Sequence, residues 1–486
     1  MAYRQGDRCQ MTLLPPLIEE YVGPGDPVRA YDAMVEAMGT GHLGLVIERD
    51  RVGNPAYEPT TMLKLLVYGY SYGWHSSRKL ERACHHNLSF IWLMGGLKPD
   101  HKTISNFRRD NKEAIRKVLK QTARICIKLD LVEGNCLFTD STKVRGAASI
   151  DQTRTRQGWE QRLKEVDRNV EELLSECEQV DEKESGSLVE IQEEIQDKHR
   201  MQQKIRGLLE QMDAEGLDKI NGTDTDAVNF KGRQGSHAGY SGHITVDEKN
   251  GLIVNADVVA EANDRNQFTN QVEQSVETLG SPCKIAVADA GYSDTNNLKQ
   301  TTDRHIDVIV PSQRQALHKA EYESFAKDKF HYDAKNNQYL CPLGRKLKYS
   351  HYSRMKDCYL YRMEQPSLCR ECVHWGVCTI STRGRSIIRL KEEKLREKLE
   401  ERYASAEGQA IYKKRKTKVE LPFGHIKRNL NGGAFLLTGL AGVRAEWALF
   451  ASCFNIARMI TLAGGVGALI QRLRKLNNQS AQFAPG

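Results

Sequence analysis

No stretch of this 486-residue chain is both apolar enough and long enough to span a bilayer. The most apolar tract, residues 460–470, has 11 residues where a membrane helix needs about 20. It reads as a buried helix end. The N-terminal run Met1-Ala-Tyr-Arg-Gln-Gly-Asp7 contains no apolar signal segment. With 28% of residues charged, an integral membrane protein is excluded and no membrane partner is expected. The cytoplasm is the expected location. In the absence of a secretory signal, the 12 cysteines point to reduced thiols or a metal site, not to a disulfide framework.

What is present is length and an uneven charge. A chain of this size suggests two to four domains. Its net charge of +8 conceals an acidic segment: residues 158–217 hold 17 Asp or Glu and 8 Lys or Arg, a net −9. The remainder therefore carries +17, enough to make a polyanion a plausible partner.

Residues 1–130 read as helical. Pro59 opens a run over residues 60–72, with Met62, Leu65, Leu66 and Tyr70 at helical spacing. A second helix fits residues 77–86, with Leu80 and Cys84 facing inward. Asp100 or Thr103 can cap a third, whose apolar face is Ile104, Phe107, Ile115 and Leu119. It begins with polar groups and reaches Arg108 and Arg109, the kind of helix end that helix-turn-helix modules set in the major groove. A plain helical bundle with a solvated basic face has the same pattern.

The pattern then changes. Cys136-Leu-Phe-Thr-Asp140 is a short strand ending in an acid. Residues 158–217 break away as a polar, heptad-like segment. Leu163, Val166, Val170, Leu173, Cys177 and Val180 form one face, Ser185-Gly-Ser187 a turn, and Leu188, Ile191, Ile195, Ile205, Leu208 and Met212 a returning face. This reads as an antiparallel helical hairpin, either a spacer or dimer contact or a merely solvated hairpin, whose acidity argues against touching DNA. Residues 239–247 and 252–260 read as a strand pair with Asn250-Gly251 at the tip. A helix fits residues 264–279. Lys284-Ile-Ala-Val-Ala-Asp289 is a buried strand that again ends in an acid. A helix near residues 294–301 and a strand at 306–310 follow. Residues 325–380, rich in tyrosine, lysine and cysteine, show no sustained period, and helical pattern runs from about 388 to the end.

Without the two interruptions the order is three strands, helix, strand, helix, strand, helix. That is the order of a ribonuclease H-like core, an α/β fold in which helices flank a mixed sheet. Acids at two strand ends can there meet a third from a packed helix, and Asp140, Asp289 and Glu420 stand at those places. Three carboxylates converging near a polyanion require cations between them. Magnesium, which keeps waters and accepts few carboxylates plus phosphate oxygens, suits such a site, and two ions can serve an in-line displacement at phosphorus. Lys143 and Arg145 beside the first acid, and Arg415, Lys416 and Lys427 around the third, are candidate phosphate contacts.

At these residues the chain resembles the DDE transposases of bacterial insertion sequences, in the branch with a Tyr-Arg-Glu-Lys pattern around the last acid. Pro99-Asp-His-Lys-Thr-Ile-Ser-Asn-Phe-Arg108 is similar to the end of the family's N-terminal DNA-binding domain. Phe138-Thr-Asp140-Ser-Thr-Lys-Val resembles the first acidic segment, and Ala288-Asp289-Ala-Gly-Tyr292 the second. Tyr412, Lys416, Glu420, Phe423, Gly424 and Lys427 fit the third; its basic residue is either Arg415 or Lys416, and Leu421 stands where relatives often have His. Leu437-Thr-Gly439, Glu446 and Asn455 resemble the terminal helices.

The resemblance implies that Asp140 bridges two magnesium ions (manganese would serve), with Asp289 and Glu420 each holding one. Tyr412 and Lys427 would position the terminal phosphate. It further implies hydrolysis at the ends of a mobile element, then attack of the freed 3′-hydroxyl on target DNA, by a homodimer or larger synaptic assembly at the nucleoid. The expected layout is a helical DNA-binding domain at 1–130, with catalytic core parts at 131–157 and 218–324. The helical hairpin inserts at 158–217 and a cysteine-rich insertion at 325–385, and 386–486 completes the core. In that second insertion Cys341, Cys369, Cys372 and Cys378 match the spacing of one structural zinc, with Cys358 and His374 as substitutes. Small thiols in an apolar subdomain are the alternative. A catalytically inactive DNA-binding relative, or a nuclease sharing the same core, would carry much of the same sequence.

Overall fold

The computed structural model describes residues 17–46, 56–183, 188–232, 235–316, 325–354 and 357–482. It divides into two compact units. Unit one comprises Met1–Glu133, Ser141–Asn263 and Val419–Gly486; unit two comprises Gly134–Asp140 and Asp264–Lys418.

Unit one is built around the helix Leu440–Ala463. Val443, Trp447, Leu449, Phe450, Phe454, Ile456 and Met459 are all buried on it, so it is apolar all round, as a core helix must be. Residues 460–470 form the joint between this helix and Val466–Gln482, where Gly464 and Gly465 take positive φ; the tract is half-buried. Among the described residues no single helix is long and apolar enough to cross a membrane.

The N-terminal helices pack into this unit. Pro59–Ser71 starts where Glu58 accepts the amides of Thr60 and Thr61, at 2.9 and 2.5 Å, and buries Met62, Leu63, Leu65, Leu66 and Tyr70. Ser77–His86 buries Leu80 and Cys84 as expected. The third expected helix is two: His101–Asp110, capped by Asp100, and Lys112–Lys128, parted at Asn111. Arg108 does not face solvent. It is 3% exposed, lies over the Tyr70 ring and donates to the His75 carbonyl at 2.7 Å, so it is unavailable to DNA. Its neighbour Arg109 is exposed and paired with Asp110.

The strands of unit one are the second half of β1 (Cys136–Arg145), β2 (Thr153–Thr155), β3 (Lys219–Asn221), β4 (Val228–Gly232), β5 (Gly235–Asp247) and β6 (Ile253–Val259). β5 pairs antiparallel with β4 and β6 and also neighbours β1. Gly239 has to be glycine, because a Cβ there would lie 2.2 Å from the Val144 carbonyl oxygen. The Asn455 side chain takes the Ile253 amide and donates to its carbonyl, both at 2.8 Å, tying the core helix to β6.

The acidic segment forms two helices, Arg156–Lys183 and Leu188–Glu215, that pack on each other above the β2–β3 ladder. Trp159, Val166, Ile205, Leu208, Met212 and Ile220 make their core. The turn expected at 185–187 lies outside the described residues.

Unit two contains the first half of β1 with β7 (Ile285–Val287) and β8 (Asp307–Ile309), all parallel. Phe138 sits opposite Val287, and Val287 opposite Ile309. Phe268–Leu279 and Thr295–Thr302 are the intervening helices. The tyrosine-rich segment is not irregular, as its sequence suggests. It forms a five-stranded antiparallel sheet in chain order: β9 (His331–Asp333), β10 (Gln338–Leu340), β11 (Lys346–Ser353), β12 (Cys358–Met363) and β13 (Ser386–Leu390). Three-residue strands and a register shift between Tyr349 and His351 hide its period of two. Two helices follow, Glu393–Ala404 and Ala406–Arg428; the latter continues into unit one.

Candidate active site

β1 begins with four buried residues, Cys136 to Thr139, and Asp140 is its first half-buried one. The strand does not stop there; it runs on to Arg145, so Asp140 is internal to β1. Beside it β7 ends at Val287, and two residues later Asp289 caps the short turn Ala290–Tyr292, its Oδ1 accepting the Gly291 amide at 2.8 Å. Tyr292 anchors that turn by packing edge-on against Phe268.

The helix Ala406–Arg428 supplies the third component. Arg415 Nη1 donates to Asp140 Oδ2 at 2.7 Å, with the two side chains 16% and 19% exposed. The guanidinium also lies 5.4 Å from the centre of the Tyr412 ring, which meets Tyr403 edge-on. Burial works against the charge on Arg415, but the Asp140 carboxylate, then Tyr412 and Asp289, outweigh it and raise its pKa. Burial likewise raises the Tyr412 hydroxyl, against the opposing pull of Arg415. Within unit two, therefore, Asp140, Asp289, Tyr412 and Arg415 occupy one electrostatic neighbourhood. Of the two bases considered for the third motif, Arg415 is turned inward and Lys416 is exposed.

Glu420 is exposed farther along the same helix, in the part that belongs to unit one. Five residues at 100° each set it about 140° around the helix from Arg415, and only about 40° from Lys416. Pro422 lies inside the helix and has no N–H for the Lys418 carbonyl, at the residue where unit two's share of it ends. Also in unit one, Lys427 contacts the Thr142 hydroxyl and the Lys143 carbonyl, and burial lowers its pKa. Lys143 itself donates to Ser241 Oγ at 2.9 Å. Thr142 and Ser241 escaped the sequence reading, although Thr142 lies inside the first acidic motif.

Among the described residues, no group of three or more His, Cys, Asp or Glu side chains is placed to hold a metal ion. The four cysteines of the expected zinc set, Cys341, Cys369, Cys372 and Cys378, nevertheless line one cavity with His374, and burial together with the other three thiols raises the Cys378 pKa. Cys369 is part of the apolar core under the five-stranded sheet, with Leu347 and Tyr361, and Cys341 and Cys378 pack against it. The sulfurs of Cys341 and Cys369 accept the amides of Arg345 and Arg385, at 3.3 and 3.5 Å. The ten described cysteines are all free thiols.

Two family comparisons match this chain. Residues 16–110 match a family described as a transposase domain (DUF772), and residues 340–460 match a transposase DDE domain. The second match includes Tyr412, Arg415, Glu420 and Lys427; neither includes Asp140 or Asp289. No curated protein matches. Among solved structures, a cryo-EM piggyBac transposase synaptic complex with hairpin DNA aligns over 95% of this chain and 82% of its own. The identity is 9% and the TM-score 0.33, too slight a likeness to carry an argument. The two family matches, in this order along one chain, support a DDE-type transposase.

Proposed function

We propose that this transposase belongs to a bacterial insertion sequence, binds the element's terminal repeats, and cleaves and rejoins DNA strands with Asp140, Asp289 and Glu420 as its acids. The observation that carries the reading is the delivery of Asp140 and Asp289, from neighbouring parallel strands, to the surroundings of a single guanidinium. In the sheet β1 lies between β5, which also pairs with β6, and β7, which is followed by β8, an order compatible with a ribonuclease H-like core.

Hard carboxylate oxygens suit magnesium or manganese, and Arg415 on Asp140 marks the spot as one that attracts positive charge. Two carboxylates leave room for water and phosphate oxygens in a cation's shell, so the residues fit. Asp140 would hold both ions, Asp289 one, and Glu420 the other. Bound there, divalent cations supply an activated hydroxyl and stabilise the leaving oxygen. The chain's own contribution is positional. Tyr412 and Lys427 orient the terminal phosphate, Lys143 and Lys416 neutralise the DNA backbone, and a dimer or larger assembly holds two ends together. Such a protein would work in the cytoplasm, at the nucleoid.

A labelled duplex carrying the element's end tests this. Asp140→Asn, Asp289→Asn and Glu420→Gln should each lower strand cleavage in magnesium by at least a hundredfold and leave end binding within about threefold. Unaltered cleavage in any one of them removes that residue from the assignment. A second reading, a DNA-binding protein without catalysis, is favoured by the Arg415–Asp140 ion pair, which occupies the first acid. Divalent-ion-dependent nicking by the wild type excludes it, and joined products with target DNA distinguish a transposase from a nuclease.

A further inference from the structure

Residues 325–390 contain 13 Lys or Arg and 5 Asp or Glu, a net +8 that equals the charge of the whole chain. The five-stranded sheet turns one face to its core through Leu347, Tyr361 and Ile387. By strand alternation the opposite face carries Lys346 and Lys348 from β11, Leu360 and Arg362 from β12, and Ser386 and Ile388 from β13. Lys346, Lys348, Ser386 and Ile388 are exposed and Arg362 is half-buried.

Lys348 and Arg362 are directly opposite each other in the β11–β12 register. Like charges in that position oppose pairing of the strands unless an anion lies near them. Lys348 has one, Glu364, at 2.5 Å. Neither Lys346 nor Arg362 forms an ion pair among the described residues, and the acid count of the segment is too low to supply more. The tyrosines that might stack on bases are elsewhere. Tyr349, Tyr352 and Tyr359 project from the other face, against one another and Tyr361, at ring separations of 5.2 to 6.3 Å. The open face thus offers cations on a rigid sheet without an aromatic platform. That combination suits the phosphate backbone of a duplex and not the bases of a single strand.

We propose that the Lys346–Lys348–Arg362 face is a duplex-DNA contact surface, separate from the catalytic acids, that grips backbone without reading sequence. It rests on the transposase reading only for the identity of the polyanion. The test is fluorescence anisotropy of the full chain with a labelled DNA duplex, across a salt series. Lys346→Gln/Lys348→Gln/Arg362→Gln should weaken duplex binding at least tenfold at low salt and lower the log–log salt slope by about 2–3. Lys391→Gln/Lys394→Gln/Lys398→Gln, an equal loss of charge at exposed lysines nearby, should change the slope by less than one. Thermal melts of both variants establish that they fold.

An unchanged slope in the first variant, or equal losses in both, overturns the proposal while leaving the catalytic reading standing. A wild type that binds no duplex overturns both. A first variant that loses only a single-stranded RNA probe overturns the duplex assignment.

Discussion

Arg415 and Asp140 are 275 residues apart, yet the guanidinium of one donates to the carboxylate of the other at 2.7 Å in a largely enclosed setting. Arg415 Nε is buried and has no acceptor among the described residues. The Arg415 guanidinium thus occupies the carboxylate on which the proposed chemistry depends. In this arrangement a divalent cation has to compete with Arg415 for Asp140, and an incoming phosphate would give the guanidinium an alternative acceptor.

Arg415→Gln should therefore tighten manganese binding, measured by calorimetry without DNA, by about tenfold, since a charge-assisted hydrogen bond of this kind contributes roughly 1.5–3 kcal/mol. Asp140→Asn should abolish the same binding. Manganese affinity that is unchanged or weaker in Arg415→Gln would mean the guanidinium supports the cation and does not exclude it.

How much of this was legible beforehand depended on burial. Asp289 was visible because Ile285 to Ala288 is an uninterrupted apolar run ending in an acid, a pattern with few alternatives. Asp140 was visible for the same reason, but the strand's continuation to Arg145 was not, because Ser141 to Lys143 are polar and only pairing keeps them extended. Arg415 sits in a run of cations at 413–418, where composition cannot say which side chain turns inward; the rotation of the helix decides it. Arg108 misled in the opposite direction, since a Phe-Arg-Arg sequence looks solvated until the His75 carbonyl and the Tyr70 ring are known to meet it.

Asn455 ties the buried core helix to β6 through both backbone groups of Ile253. Asn455→Ala would strand a buried amide and a buried carbonyl, and should cost about 2–4 kcal/mol in urea unfolding. Ser452→Ala, one turn earlier, removes only a hydroxyl bonded to the Ala448 carbonyl of its own helix and should cost less than about 1 kcal/mol. Equal losses would show that the tie to β6 adds nothing.

Gly222 leaves space for the Trp159 ring at the base of the helical pair, where a Cβ would lie 2.5 and 2.8 Å from two ring carbons. Trp159 is also held by its indole N–H, which donates to the Ile220 carbonyl at 3.2 Å. Gly222→Ala should displace the ring, lower stability by about 1–3 kcal/mol and alter the near-ultraviolet circular dichroism. A spectrum and melting curve identical to wild type would contradict this packing.

Glu446 is fully buried on the core helix, where Oε2 accepts the amides of Leu436 and Leu437 at 2.9 and 3.0 Å and Oε1 faces the Tyr70 hydroxyl. Burial raises its pKa to about 7 from 4.5, against the opposing pull of those amides, Arg108 and Tyr70. The folded state therefore holds this proton more tightly than the unfolded state. Its contribution to stability is complete below pH 4.5 and is lost as the pH rises through 7, a decline on the order of 3 kcal/mol. Glutamine matches the protonated acid in shape, and its single oxygen can accept both amides. Glu446→Gln should accordingly flatten the fall in urea-unfolding free energy between pH 5 and pH 8, leaving the variant as stable as wild type at the acid end and more stable at the alkaline end. Alanine has no such oxygen and should destabilise the protein at both. If wild type and Glu446→Gln lose stability in parallel over that range, the proton in question resides on another group.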